Sequence, residues 1–165
     1  MSNEWCKAPL APPVFKVNGP NPEYASILHD GLVGEMTAIT EYLYYHFTTL
    51  YASPELSQMF FCLATVEMEH LDWLARFIVL LGGDPRYTSR EGRYWNGTAP
   101  RYTRNFCEQI ANSVAGEREG MNLYRSQIAL IQDPNVQAML GRIIEDEKIH
   151  IRILEEKRER YCGPR

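Results

Sequence analysis

Four segments of the sequence repeat apolar residues at the spacing of an α-helix, and each of the four carries a glutamate inside its apolar stripe. Three of the segments begin with a side-chain N-cap followed by proline, at Asn21-Pro22, Ser53-Pro54 and Asp133-Pro134. The run Gly82-Gly83-Asp84-Pro85 predicts the end of the second helix. These features predict an all-α fold with helices over about 22–51, 54–82, 103–131 and 134–160.

The connections between the segments predict how the helices are arranged. Within each half only a few residues separate two helices, so each pair must fold back as an antiparallel hairpin. The stretch 83–102 between the halves could extend over about 66 Å, more than the length of about 42 Å of one helix, so it can cross the whole bundle. We therefore expect a ferritin-like four-helix bundle over 23–160, with two antiparallel hairpins joined by a long crossover. We expect the proline-rich residues 1–22 to form an extended arm, either laid on the bundle or partly disordered, and 161–165 to form a tail.

The apolar stripes contain polar residues that a protein core does not normally hold. A buried carboxylate without a partner costs several kcal/mol, and four of them facing one another also repel. None of the stripes offers a Lys or Arg to balance them, whereas two divalent cations would. We therefore predict a two-metal site whose ligands are Glu35, Glu67, His70, Glu117, Glu147 and His150.

The spacing of these residues supports the prediction. Glu67 with His70, and Glu147 with His150, follow the pattern Glu-x-x-His, which places both side chains on one helix face where they can bind the same ion. The lone glutamate of each remaining helix can bridge the ions or close the site. Two such pairs, each preceded by an inward glutamate on its hairpin partner, indicate a two-metal site far more strongly than one pair would.

The two hairpins also resemble each other in sequence. Tyr42 follows Glu35 by seven residues, and Tyr124 follows Glu117 by seven. The halves are therefore a pseudo-repeat with an approximate two-fold axis between two metal positions. We expect the tyrosines to hydrogen-bond the ligand glutamates or to pass electrons; the alternative is that they are ordinary core aromatics.

Other polar residues have a simpler interpretation. Four acids fall off the stripes and are expected at the surface, namely Glu69, Glu119, Glu145 and Asp146. His46 lies too far along its helix from Glu35 to be a ligand and is expected to be a core histidine. The four cysteines lie far apart without a C-x-x-C pair, which argues against a rubredoxin-type iron site, and we expect free thiols.

Composition excludes several partners. A net charge of -4 leaves no basic field for nucleic acid. No apolar run reaches the length of about 18 residues that a membrane helix needs, and the N-terminus lacks the pattern of a secretory signal. We therefore expect a cytoplasmic protein that binds neither nucleic acid nor membrane.

Four stretches resemble the ferritin-like superfamily, particularly its bacterioferritin and rubrerythrin branches: LVGEMTAITEYLYYHF, VEMEHLDWLARFIVLLGGDP, GEREGMNLYRSQI and LGRIIEDEKIHIRILEE. The resemblance implies that the six Glu and His residues bind two irons or, as in the related catalases, two manganese ions. No rubredoxin module is present, so an external electron donor is implied. The 15 residues after His150 are too few for the fifth helix of ferritin cages, which argues against a storage shell. Met68 matches a haem-ligating methionine of bacterioferritins, but we expect a core filler and no haem.

These features lead us to expect a di-iron or di-manganese oxidoreductase that acts on hydrogen peroxide or dioxygen, with peroxidase, catalase or ferroxidase chemistry. The Tyr-, Arg- and Trp-rich crossover suits an interface, so we expect a homodimer. Two alternatives stay open: a non-enzymatic iron-binding or storage protein, and a structural bundle whose metals only complete the core.

Overall fold

A computed structural model describes residues 4–163 and contains four long helices in this range. They are α1 (Pro22–Thr49), α2 (Pro54–Leu80), α3 (Phe106–Leu130) and α4 (Pro134–Cys162), preceded by a short 3-10 turn at Glu4–Cys6. The predicted all-α four-helix bundle is confirmed. None of the four helices combines the length and the apolar character that a membrane span requires.

Local capping explains where the helices begin. The side chain of Asn21 accepts a hydrogen bond from the backbone N–H of Tyr24, and Asp133 caps α4 in the same way, as the sequence predicts. Ser53 makes no such side-chain bond. The third helix begins at Phe106 rather than near 103, because Asn105 accepts from the N–H groups of the next turn and so is its N-cap.

The helices pair as two hairpins, α1 with α2 and α3 with α4, and the hairpins pack along α1 with α3 and α2 with α4. The crossover then runs the length of α1. Arg90 donates its backbone N–H to Asp30 near the start of that helix, and Arg101 donates to Glu41 farther along it. The connection therefore returns the chain to the end of the bundle where α3 must start.

The apolar core lies in two clusters on either side of the middle of the bundle. One contains Leu28, Leu74 and Leu140. The other contains Phe60 and Leu154, with further residues from α1 and α3. The stripe positions between these clusters are those of the predicted polar residues, so apolar packing closes the polar centre at both ends.

The prediction of free thiols is wrong, because all four cysteines are paired. Cys6–Cys62 joins the N-terminal arm to α2, and Cys107–Cys162 joins the start of α3 to the end of α4. We call these the arm disulfide and the C-terminal disulfide. The partners are 56 and 55 residues apart in sequence, so their spacing along the chain gave no hint of the pairing. Because such bonds persist in oxidising compartments, they weigh against the expected cytoplasmic location.

The N-terminal arm lies on the outer face of α2 and α4. Its Phe15 ring packs 5.6 Å from that of Phe77, and the Arg76 guanidinium lies over Phe15. Farther along, the backbone N–H of Asn18 donates to the carboxylate of Asp133 at 2.7 Å. The arm therefore covers helix faces that would otherwise be exposed to solvent.

Candidate metal centre

The six residues predicted as metal ligands come together in the middle of the bundle. All are buried, with exposed fractions of 5% or less. The members are Glu35 on α1, Glu67 and His70 on α2, Glu117 on α3, and Glu147 and His150 on α4.

Their donor atoms form two overlapping groups, and within each group one donor atom per residue lies within 4.8 Å of the others. The first group is Glu35, Glu67, His70 and Glu147; the second is Glu67, Glu117, Glu147 and His150. The glutamates of the two Glu-x-x-His pairs belong to both groups. The arrangement therefore suits two neighbouring ions with Glu67 and Glu147 between them and the two lone glutamates at the outer ends.

Both imidazoles turn the Nδ1 atom towards the carboxylates. Nδ1 of His70 lies 2.9 Å from Glu67 and 3.5 Å from Glu147. Nδ1 of His150 lies 3.1 Å from Glu67, 3.0 Å from Glu147 and 3.3 Å from Glu117. Each histidine thus faces both shared glutamates, which leaves its Nε2 atom pointing away from the centre.

Several buried atoms of the centre make no hydrogen bond within residues 4–163. They are Oε1 of Glu67, Oε2 of Glu147 and both ring nitrogens of His150. Buried polar atoms in native proteins nearly always have a partner. Carboxylate oxygens and imidazole nitrogens are donors that suit iron and manganese. The residues present therefore fit two such metal ions, which would supply partners for the two carboxylate oxygens and for Nδ1 of His150.

The electrostatics of the metal-free centre favour bound protons. Burial, followed by the charge of Glu67, raises the pKa of Glu35 to about 8. Burial and the charge of Glu117 raise the pKa of Glu147 well above its usual value. Burial lowers the pKa of the His150 imidazole, but the surrounding carboxylates outweigh it and raise that pKa well above normal. Protons therefore occupy, in the metal-free protein, positions where cations would bind.

Two buried tyrosines hold the outer glutamates. The hydroxyl of Tyr42 donates to Glu117, and that of Tyr124 donates to Glu35. Each tyrosine therefore binds the glutamate of the other hairpin. The seven-residue spacing within each half predicted an association with the ligand glutamates, but it did not reveal this exchange between the halves.

Asp146 contacts a candidate ligand, although its sequence position did not predict this. It was expected at the surface, yet it is fully buried, and its Oδ2 atom lies 3.1 Å from Nε2 of His70. Arg142 and the backbone N–H of Ala8 also contact this carboxylate. The expectation failed because Asp146 lies only one position off the apolar stripe and the arm covers that flank of α4. The other three acids expected at the surface are partly or largely exposed, namely Glu69, Glu119 and Glu145.

Two further residues can now be placed. His46 belongs to neither donor group, and its Nδ1 lies 3.0 Å from the carbonyl oxygen of Ser57, which gives it the hydrogen-bonded role expected of a non-ligand histidine. Met68 was expected to fill the core, but 41% of it is exposed, because it points away from the bundle between the buried Glu67 and the half-buried Glu69.

A cavity of about 260 Å³ reaches the centre between α1 and α3. Its inner wall includes Tyr42, Tyr124 and all four glutamates of the centre, and its outer wall includes Gly34, Gly116 and Gly120. Ala99 and Arg101 of the crossover lie at its rim. Because glycines add no side-chain bulk, a small molecule has a path to the carboxylates.

Comparison with known proteins agrees with this architecture. The family model of the ferritin-like domain matches residues 25–160. A probable manganese catalase from Clostridium acetobutylicum is 22% identical, over 86% of this chain and 72% of the relative. A solved manganese catalase from Anabaena PCC7120 superposes with a TM-score of 0.83 at 18% identity, covering 93% of this chain and 78% of that one. A bacterioferritin from Mycobacterium tuberculosis gives a TM-score of 0.75 at 26% identity, covering 86% and 87% respectively.

Proposed function

The chain belongs to the ferritin-like domain family, and on this premise we propose that it is a di-metal oxidoreductase that acts on hydrogen peroxide or dioxygen. The observation that carries the proposal is the pair of buried donor groups that share Glu67 and Glu147. Two adjacent cations would need a shared pair of carboxylates between two equivalent outer sets, and this is the arrangement of the donor groups.

We assign the ligand roles from this geometry. Glu67 and Glu147 belong to both donor groups and would help to hold both ions; Glu35 and His70 would complete one position, and Glu117 and His150 the other. Two adjacent iron or manganese ions would supply one-electron changes that together match the two-electron chemistry of an O–O bond. The relatives named above include both manganese catalases and a bacterioferritin, so either metal suits the proposal.

The protein's own residues would position the metal ligands and limit the size of the substrate. The Tyr42 and Tyr124 hydroxyls hold the outer carboxylates in place, and both rings line the cavity. The cavity of about 260 Å³ lies below the range of roughly 300–1,000 Å³ usual for pockets that hold drug-sized ligands. It has room for a molecule of the size of peroxide or dioxygen. The apolar clusters on both sides close the two ends of the centre to bulk water.

Iron storage without turnover is the second candidate, and the similarity to a bacterioferritin favours it. Assembly separates the two, since storage needs a large hollow shell and catalysis does not. A homodimer built on the crossover and an external electron donor remain part of our proposal.

The first experiment measures the metal content and the peroxide consumption of one purified sample, together with its mass by analytical ultracentrifugation. We expect close to two iron or manganese ions per chain and loss of peroxide. Release of dioxygen without added reductant would identify dismutation, and dependence on a reductant would identify a peroxidase. Hundreds of irons in a shell would favour storage, and less than about half an ion per chain after anaerobic reloading would refute the di-metal proposal.

A pair of variants sharpens this test. Glu67→Gln removes a carboxylate that belongs to both donor groups, so we expect it to lose most of the bound metal and the activity. Glu156→Gln is the matched control, because it makes the same chemical change on an exposed position of α4. Equal metal content in the two variants would contradict the role of Glu67 in holding both ions.

A further inference from the structure

The two halves of the metal centre differ in what contacts the outer ring nitrogen of the histidine. We propose that Asp146 makes the metal position beside His70 the tighter of the two, so that the protein binds its first ion there and its second beside His150. The proposal rests on the di-metal function argued above and adds an order of loading to it.

The ligands themselves give no reason for a difference. Each position receives one lone glutamate, one histidine and the shared pair Glu67 and Glu147. Both lone glutamates also accept a hydrogen bond from a buried tyrosine. A difference in affinity must therefore come from groups that contact the ligands from outside.

The outer nitrogens of the two histidines have different surroundings. Nε2 of His70 lies 3.1 Å from Oδ2 of Asp146, and both residues are fully buried. Nε2 of His150 is buried as well, but no group among residues 4–163 hydrogen-bonds to it. A carboxylate that accepts from one ring nitrogen holds the other as the electron-pair donor, orients the ring and increases its basicity. Only the His70 position receives this support.

The pseudo-repeat accounts for the asymmetry. Asp146 directly precedes Glu147 on α4, and the corresponding position on α2, directly before Glu67, is Val66. Val66 is fully buried and belongs to an apolar cluster. The chain therefore provides a carboxylate for one imidazole and an apolar residue at the equivalent place for the other.

Asp146 is held firmly enough for this role. The backbone N–H of Ala8 donates to Oδ1 at 2.6 Å, and Arg142 pairs with Oδ2 at 2.5 Å. Arg142 also donates to the carbonyl oxygen of Ala8 at 3.0 Å, and the arm disulfide fixes Cys6 two residues away. These contacts engage both carboxylate oxygens, so Asp146 supports the imidazole and is not itself a ligand.

The test is an anaerobic titration of metal-free protein with Co²⁺, followed by calorimetry and by visible absorption. We expect two resolved binding steps in the native protein. In Asp146→Asn the tighter step should weaken by about 10- to 100-fold, because the amide cannot support His70 as the carboxylate does, and the weaker step should stay unchanged. The matched control is Glu145→Gln, which removes the neighbouring carboxylate that pairs with Lys148 at the surface, and both its steps should match the native ones.

A structural measurement on the native protein covers the case in which Asp146→Asn does not fold. Crystals grown with one equivalent of Co²⁺ per chain should show most of the anomalous signal beside His70. Equal signal at the two positions, or more beside His150, would overturn the proposal, as would a titration that the Asp146 change leaves unaltered. Failure to bind any Co²⁺ would instead refute the di-metal function itself, so the two failures can be told apart.

Discussion

We expect metal-free protein to lose stability as the pH rises from 5 to 8. Burial raises the pKa of Glu35 from an ordinary 4.5 to about 8. Between these two values the folded protein holds a proton that the unfolded chain has released, so raising the pH favours unfolding. Each unit of difference corresponds to about 1.4 kcal/mol, so this carboxyl alone would remove about 5 kcal/mol by the time the pH passes 8.

The other titrating groups of the centre either add to this loss of stability or act outside the range of pH 5 to 8. The raised pKa of Glu147 adds to the loss above about pH 4.5, and the raised pKa values of His70 and His150 add to it above about pH 6.5. Burial would raise the pKa of Glu67, but the charged imidazoles outweigh it and lower that pKa. The ionised Glu67 therefore stabilises the folded protein, and this stabilisation is lost only as the pH falls below about 4.5. Metal-free protein should therefore be most stable near pH 5, and a loss of about 5 kcal/mol is comparable with the whole stability of a typical domain.

The assay is urea unfolding of chelator-treated protein at pH 5, 6, 7 and 8, followed by the helical circular dichroism signal. Glu35→Gln replaces the carboxyl with a group that cannot ionise. The decrease in the free energy of unfolding between pH 5 and pH 8 should therefore be about 5 kcal/mol smaller in this variant. Glu156→Gln, on the exposed face of α4, should keep the full dependence. Protein loaded with metal should show the opposite trend, because deprotonated ligands bind metal more tightly.

Two results would refute the reasoning. Metal-free protein that is as stable at pH 8 as at pH 5 would mean that burial does not keep these carboxyls protonated. An unchanged slope in Glu35→Gln would mean that the dependence on pH arises outside the metal centre.

Three further predictions follow from single contacts. Tyr42→Phe leaves the buried Glu117 without its hydroxyl donor and should lower the free energy of unfolding by about 1–3 kcal/mol in urea, whereas the same change at the exposed Tyr51 should have no effect. Replacing both cysteines of the C-terminal disulfide with serine should lower it by up to about 4 kcal/mol, because a loop of 55 residues is no longer closed in the unfolded chain; unchanged stability in denaturant would contradict this. Gly31→Ala would place a methyl carbon 2.9 Å from the Tyr124 ring, so we expect a lower melting temperature, and an unchanged one would show that the ring can move aside.

The local pattern of the chain was sufficient for the helices and the topology. Proline and N-cap residues mark three helix starts, and the connection lengths allow two hairpins joined by a crossover. Periodicity also predicted that Glu35, Glu67 and Glu147 lie on inward faces, because the angle between positions on a helix depends only on their separation. The metal centre could therefore be located before any tertiary contact was known.

Tertiary structure decided which of these residues face one another and what supports them. Glu67 and Glu147 are shared by both donor groups because α2 and α4 pack side by side, which no spacing within one helix reveals. The burial of Asp146 depends on an arm that lies more than a hundred residues away in sequence, and the disulfides likewise join distant segments. A helical period determines the direction in which a side chain points, but only the folded chain determines which group it meets there.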